Sequence, residues 1–307
     1  MAIQWYPGHM HKAQKEIREI MPKVDLVIEV LDARIPHSSN NPLVSTLRGD
    51  KPCIKILNKY DLADPEITKQ WQTYLEQEKG VKTLALTAEQ PGQVRSILDM
   101  CRKMVPEKEE SFKPISTMIM GIPNVGKSTL INTLAGRTIA KVGNEPAVTK
   151  RQQKINLDNG IVLSDTPGIL WPKFENPDSG YRLAVTGAVK NTAMEFDDVA
   201  LYACDYLLKA YPDRMVERYK LPQLPDSDIE LLEEIGRLRG CRRAGGRIDL
   251  HKASEILLNE LRSGMLGLLT LETPEMVEAE EVKVAELRAQ KEAEKEAKAT
   301  KRKKKKR

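Results

Sequence analysis

The stretch Gly121-Ile-Pro-Asn-Val-Gly-Lys-Ser-Thr129 has the residue types and spacing of a phosphate-binding loop. It reads G-x-x-x-x-G-K-[ST] and lies between an apolar run at 115–120 and a helix-forming stretch at 128–135, the setting such a loop requires. Its glycines let successive backbone N–H groups turn inward around a β-phosphate, and the helix that follows offers its N-terminus to the same anion. Lys127 is the catalytic cation of this arrangement, reaching the β- and γ-oxygens, while the Ser128 hydroxyl is a ligand for Mg²⁺. Asn124, Val125, Gly126 and Thr129 complete the segment expected to wrap the phosphates. So short a pattern also occurs by chance, and its weight depends on what else the chain carries.

Three further stretches supply that weight. Asn58-Lys59-Tyr60-Asp61 follows an apolar strand-like run and reads N-K-x-D. A carboxylate at Asp61 accepts from both N1–H and the exocyclic amine of guanine; adenine would leave it unpaired, a mismatch able to discriminate by ~10⁴-fold. Asn58 and the stem of Lys59 would support the base and its loop. Thr87-Ala88, at the end of the next strand-like run, is placed to offer a backbone N–H to guanine O6. Asp165-Thr-Pro-Gly168 supplies a carboxylate for the Mg²⁺ site and a glycine whose N–H meets a γ-phosphate. Thr149, between the phosphate loop and that motif, is a candidate to bring its hydroxyl onto Mg²⁺ as a metal ligand and catalytic residue; an ordinary loop threonine fits the spacing equally well. Each motif alone has an unremarkable explanation in a turn or strand end. Together they predict a GTP site.

These motifs require elements that carry distant loops to one place. Residues 9–21 have Ala13, Ile17, Ile20 and Met21 at helical spacing. Apolar runs at 24–31, 53–57, 81–86 and 115–120 alternate with helix-forming stretches near 43–48, 65–79, 94–104 and 128–135. That alternation predicts βαβ units and a mostly parallel sheet covered on both faces. Residues 153–157 and 161–164 flank Asp158-Asn159-Gly160, a hairpin signal, so these two strands are expected to pair antiparallel. The expected architecture is an N-terminal arm and helix at 1–21, then an α/β domain of about six strands at 22–172. A smaller all-helical domain at 173–274 follows, with helices at 183–210, 228–239 and 250–262. Asp226 or Ser227 serves as an N-cap, and Gly240 and Gly264 as stops. Residues 275–307, rich in Glu, Lys and Ala, form a charged tail, disordered or a single solvated helix.

Composition narrows the setting. The 307 residues are 40% hydrophobic and 30% charged, enough for a full core and two domains. No apolar run approaches the ~20 residues a membrane-crossing helix needs. The N-terminal residues resemble neither a signal nor a transit peptide, and four cysteines without metal-binding spacing read as reduced thiols; a cytoplasmic protein is expected. The net charge of +5 is concentrated: residues 291–307 hold ten Lys/Arg against three Glu, so the rest of the chain carries about −2. Such a basic tail suits a polyanionic partner, and equally a solubilising segment.

In ordinary GTPases the phosphate loop comes first and N-K-x-D last. Here N-K-Y-D precedes the phosphate loop by about sixty residues, so the chain resembles a circularly permuted GTPase. Trp5-Tyr-Pro-Gly-His-Met10, Asp32-Ala-Arg-Ile-Pro36 and the stretch 121–129 closely resemble the YlqF/RbgA family of bacterial ribosome-biogenesis GTPases, over roughly residues 3–271. The resemblance implies a role in late maturation of the large ribosomal subunit, with hydrolysis stimulated by the pre-ribosomal particle and a helical domain touching rRNA. It points to His9 as a catalytic residue on an N-terminal arm. That role matters because Ile169 follows Gly168, where many GTPases carry a water-orienting glutamine; a plain helix-start residue is the alternative for His9. It also associates Asn124 with K⁺ assistance. Arg237, Arg239, Arg242, Arg243 and Arg247 cluster around Gly240, Gly245 and Gly246 and become the RNA-binding candidates. Pairing of some of them with Glu230, Glu233 and Glu234 is the competing explanation. A second functional reading stays open: a GTP/GDP-sensing RNA-binding module whose own hydrolysis is incidental.

Overall fold

The computed structural model describes residues 8–140, 153–157, 160–172, 174–190 and 194–305. Its centre is a sheet of six strands: β1 (Leu26–Asp32), β2 (Cys53–Asn58), β3 (Val81–Ala85), β4 (Ile115–Gly121), β5 (Gln153–Asn156) and β6 (Ile161–Asp165). They lie in the order β3-β2-β1-β4-β6-β5. All neighbouring pairs are parallel except β5 with β6, the predicted antiparallel pair. Every residue of β1 and β2 is buried, as expected of central strands covered on both faces, and their sequences are correspondingly rich in Val, Ile and Leu.

The sheet is clad by α1 (Gly8–Ile20), α2 (Pro42–Arg48), α3 (Pro65–Leu75), α4 (Pro91–Val94), α5 (Ser96–Met104), α6 (Pro106–Glu110) and α7 (Lys127–Ala135). Local chemistry sets their starts. Asn41 caps α2 by accepting from Leu43 N–H, and Asp64 caps α3 by accepting from Glu66 and Ile67 N–H. Then come α8 (Pro177–Val185), α9 (Phe196–Ala210), α10 (Pro212–Tyr219), α11 (Asp228–Leu238) and α12 (Leu250–Arg262). The span 183–210, expected as one helix, is two. Asn176 and Pro177 start α8 early, and Gly187 at φ +82° follows its end. The stretch 94–104 likewise divides between α4 and α5. Ser227 caps α11 as expected, and Gly240 and Gly264, at φ +69° and +77°, follow the ends of α11 and α12. Helices α9, α11 and α12 pack on one another.

Residues 269–273 strap these helices to the sheet. Leu269 N–H donates to Leu62 O (3.0 Å), Leu271 N–H to Arg34 O (2.8 Å), and Trp71 Nε1–H to Glu272 O (3.0 Å). The strap leads into α13 (Pro274–Lys305). Val277 in its first turn is fully buried beside Leu31, Leu57, Trp71 and Leu75, and one turn on Glu280 pairs with Arg182. Among the described residues no helix is long and apolar enough to cross a membrane.

Candidate nucleotide site

The strand register gathers the motifs. Asp32 stands opposite Asn58, Val30 opposite Gly121, and Ile119 opposite Asp165, so the loops after β1, β2, β4 and β6 emerge at one edge of the sheet. The C-terminal edge of parallel strands is where open α/β sheets hold ligands. The permutation changes the order of the loops along the chain without separating them in space.

Glycine is required where backbones meet. A Cβ on Gly121 would fall 2.7 Å from Val30 O, and one on Gly126, at φ +93°, would fall 2.2 Å from Asn58 Nδ2. That second contact marks the junction of phosphate loop and N-K-x-D loop. Asn58 Nδ2 donates to Val125 O (2.8 Å), and Asn58 Oδ1 accepts from Ala88 N–H (2.9 Å). One buried amide thus stitches three loops. Lys59, at φ +60°, lays its stem across the phosphate loop, donating from Nζ to Asn124 O (2.8 Å) and to Asp32 Oδ2 (2.9 Å).

Asp61 is exposed, with Oδ1 accepting from the Thr87 hydroxyl at 2.8 Å. Thr87 therefore orients the carboxylate expected to read guanine. The backbone N–H groups expected near guanine O6 have partners within the chain: Thr87 N–H donates to Gln93 Oε1 (2.9 Å), and Ala88 N–H to Asn58 Oδ1 as part of the stitch.

At the phosphate end, Lys127 and Ser128 open α7, whose N-cap is Gly126. Lys127 is buried; burial lowers its pKa and the nearby Asp165 carboxylate opposes that. Asp165, ending β6, is pushed up by burial and back down by Lys127. Its Oδ1 is buried without a hydrogen-bond partner among the described residues. An orphaned carboxylate oxygen beside a buried cation at the start of a helix is what a Mg²⁺-phosphate site leaves when its own groups are taken away, so the donors present fit that ion. A Cβ on Gly168 would stand 3.0 Å from the backbone of Pro123, so the D-x-x-G segment lies directly on the phosphate loop. Ile169 is fully buried and cannot orient a water.

Thr149 lies outside the described residues, as does the side chain of His9. The residue after His9, Met10, is described: it is buried, and its Sδ accepts from Leu170 N–H at 3.5 Å. The start of α1 is therefore docked two residues beyond Gly168.

In the sequence, Asp32-Ala-Arg34 shows only a family likeness. In the structure Arg34 Nε and Nη2 grip both Asp32 oxygens at 2.9 and 2.7 Å, and Lys59 completes the cluster. Burial raises the Asp32 carboxyl, but Arg34 and Lys59 outweigh it and hold it far below the usual range. The i, i+2 spacing of Asp32 and Arg34 was the available signal. The arginine cluster is exposed but largely paired. Arg237 bonds Glu234, as the competing explanation had it; Arg239 pairs with Glu260 (2.8 Å) and lies over the Tyr219 ring; Arg243 pairs with Asp249 (2.8 Å). Arg242 and Arg247 stand exposed on the turn through Gly245 and Gly246.

The chain is similar to known GTPases. The model of a family described as 50S ribosome-binding GTPase matches residues 116–231. The ribosome biogenesis GTPase A of Bacillus cereus is 46% identical over 282 residues, covering 90% of this chain and 95% of that protein. The protein of the same name from Thermotoga maritima is 30% identical over 273 residues, covering 89% and 95%. The crystal structure of GNP-bound YlqF from T. maritima superposes with a TM-score of 0.62 at 28% identity, covering 86% of this chain and 99% of that one.

Proposed function

This chain belongs to the ribosome biogenesis GTPase A family and is a GTPase, and we propose that it is a cytoplasmic assembly factor acting late in maturation of the large ribosomal subunit. In this reading it binds GTP at the edge formed by Asn58, Asp61, Lys127 and Gly168, and the pre-ribosomal particle stimulates hydrolysis. The observation that carries the reading is the double engagement of Asn58, which draws a guanine-reading loop and a phosphate loop into one site although the permuted chain presents them in reverse order.

Ser128, Thr149 and Asp165 would hold Mg²⁺, which when bound neutralises charge between the β- and γ-phosphates. Lys127, desolvated at the start of α7, recovers through phosphate oxygens the partners it lost on burial. Asp61, held by Thr87, selects guanine. Gly168 supplies an N–H to the γ-phosphate. With Ile169 buried, water must be oriented from elsewhere, and that role falls to His9, whose neighbour Met10 is anchored at Leu170 within the same segment. Asn124 is assigned to K⁺, and Arg242 and Arg247 to rRNA phosphates.

The deciding experiment is GTP turnover in potassium buffer, with and without purified large ribosomal subunits, for the wild type and His9→Ala. Strong stimulation that the variant loses is the expected result. Absence of stimulation would reduce the protein to a nucleotide-sensing binder.

A further inference from the structure

The backbone just beyond Gly168 is gripped from two sides. Ile169 N–H donates to Gly121 O at 3.2 Å, which fixes it to the end of β4. The carbonyl of the same residue accepts from Asn41 Nδ2 at 3.0 Å, across a sequence separation of 128. Asn41 is fully buried, and its remaining groups are also engaged. Its backbone N–H donates to Glu29 Oε1 (3.0 Å), and its Oδ1 accepts from Leu43 N–H (3.0 Å). A single residue therefore ties the central strand β1, the start of α2 and the exit of the D-x-x-G motif.

Nothing about α2 requires this. An N-cap needs only an oxygen, which Ser, Thr or Asp supplies as well. The amide nitrogen is the part of Asn41 that the cap does not use, and it is the part that meets Ile169. We propose that Asn41 is a positioning residue for γ-phosphate recognition: its side-chain amide holds the Ile169 peptide, and with it the adjoining Gly168 N–H, against the phosphate loop before nucleotide arrives. A segment that senses a γ-phosphate gains affinity for GTP when it need not be ordered at the moment of binding. GDP, which has no γ-phosphate, gains nothing from the same bond. The inference rests on the reading that Gly168 N–H meets the γ-phosphate.

The test uses the full chain with Asn41→Ser and Asn41→Asp. Both keep an oxygen to cap α2; the Asp carboxylate has no donor, and the Ser hydroxyl, one atom shorter than the amide nitrogen that meets Ile169 O, does not reach it. Affinities for GDP and for a non-hydrolysable GTP analogue are measured together with kcat and KM for GTP. The expected result is GDP affinity within about twofold of wild type, with analogue affinity and kcat reduced about five- to tenfold, the worth of one buried hydrogen bond. Equal loss of GDP and analogue affinity, or no change in either, would overturn the proposal. Unchanged GDP affinity also reports that the variant is folded, and Asn41→Ser carries the test alone should the added carboxylate beside Glu29 prevent folding of Asn41→Asp. Gly168→Pro, which removes the N–H that Ala would keep, separates the two readings, with GDP affinity as the control for the phosphate loop. If it abolishes analogue binding while the Asn41 variants behave as wild type, only the role of Asn41 fails; if it leaves analogue binding intact, both fail.

Discussion

The side-chain amide of Asn124 donates a 2.8 Å hydrogen bond to the carbonyl of Gly187, so a phosphate-loop residue holds the turn that follows α8. The same turn is held from behind by Arg262 on α12, which donates to Val185 O (2.8 Å) and Ala184 O (2.7 Å). Arg34, already gripping Asp32, reaches the carbonyl of Arg262 at 3.4 Å. Burial, together with Arg34 close by, brings the Arg262 guanidinium down to about 10. A continuous polar route thus joins the nucleotide loops to the helices that follow them. Asn124→Ala is expected to lower stability by about 1 kcal/mol, read from urea unfolding. It should also abolish any excess of GTP turnover in potassium over sodium buffer. Potassium dependence that survived the change would remove Asn124 from the cation site.

Asp61→Asn exchanges an acceptor for a donor opposite guanine N1–H and N2–H₂. Preference should move from guanine to xanthine nucleotides, with GTP affinity reduced ~10²-fold or more. Competition binding with GTP, XTP and ATP measures this directly, and an unaltered GTP preference would contradict the role given to Asp61.

Glu29 predicts an unusual pH dependence. It lies wholly buried on β1, facing Lys55 on β2 at 3.9 Å, with Arg48 from α2, Glu78 beyond α3 and the Cys53 thiol nearby. Burial raises its pKa to about 7, with Lys55 and Arg48 opposing and Glu78 adding to the rise. The folded chain therefore keeps a proton that the unfolded chain gives up near 4.5. Stability contributed by this group falls as pH rises from about 4.5 to about 7, by roughly 3 kcal/mol, and is level above that. Glu29→Gln should remove this slope and be the more stable protein at pH 8, since Lys55 keeps Glu78 (3.0 Å) and Asn40 (3.2 Å) as partners. Denaturant midpoints of both proteins across pH 5–8 decide the matter.

Arg242 and Arg247 should behave differently from Arg239. Replacing either exposed arginine by Ala is expected to weaken binding to large-subunit rRNA and to lower the salt slope by about one, leaving the fold intact. Arg239→Ala would remove one partner of the largely buried Glu260, which also accepts from Arg218 (3.0 Å) and the Tyr219 hydroxyl (3.0 Å). Its main effect should be on thermal stability. Binding titrations at several salt concentrations, set beside melting curves, distinguish the two classes.

Elements and candidate motifs were legible in the chain wherever the signal was local. The glycines and Lys127 of the phosphate loop, Asp61 after its strand, and Asp165 with Gly168 each occupy a few consecutive residues whose spacing reflects one turn of backbone. The six strands could be read because fully buried parallel strands such as β1 are apolar along nearly their whole length. The partners came only with the folded molecule. Asn58 binding Val125 and Ala88, Asn41 binding Ile169, Arg239 choosing Glu260 over its helix neighbours, and Val277 finding Trp71 all join residues far apart in the chain. Periodicity and capping report which face of an element is buried and where it starts. What that face meets depends on strand order and helix packing, and these arise only when the whole chain has folded.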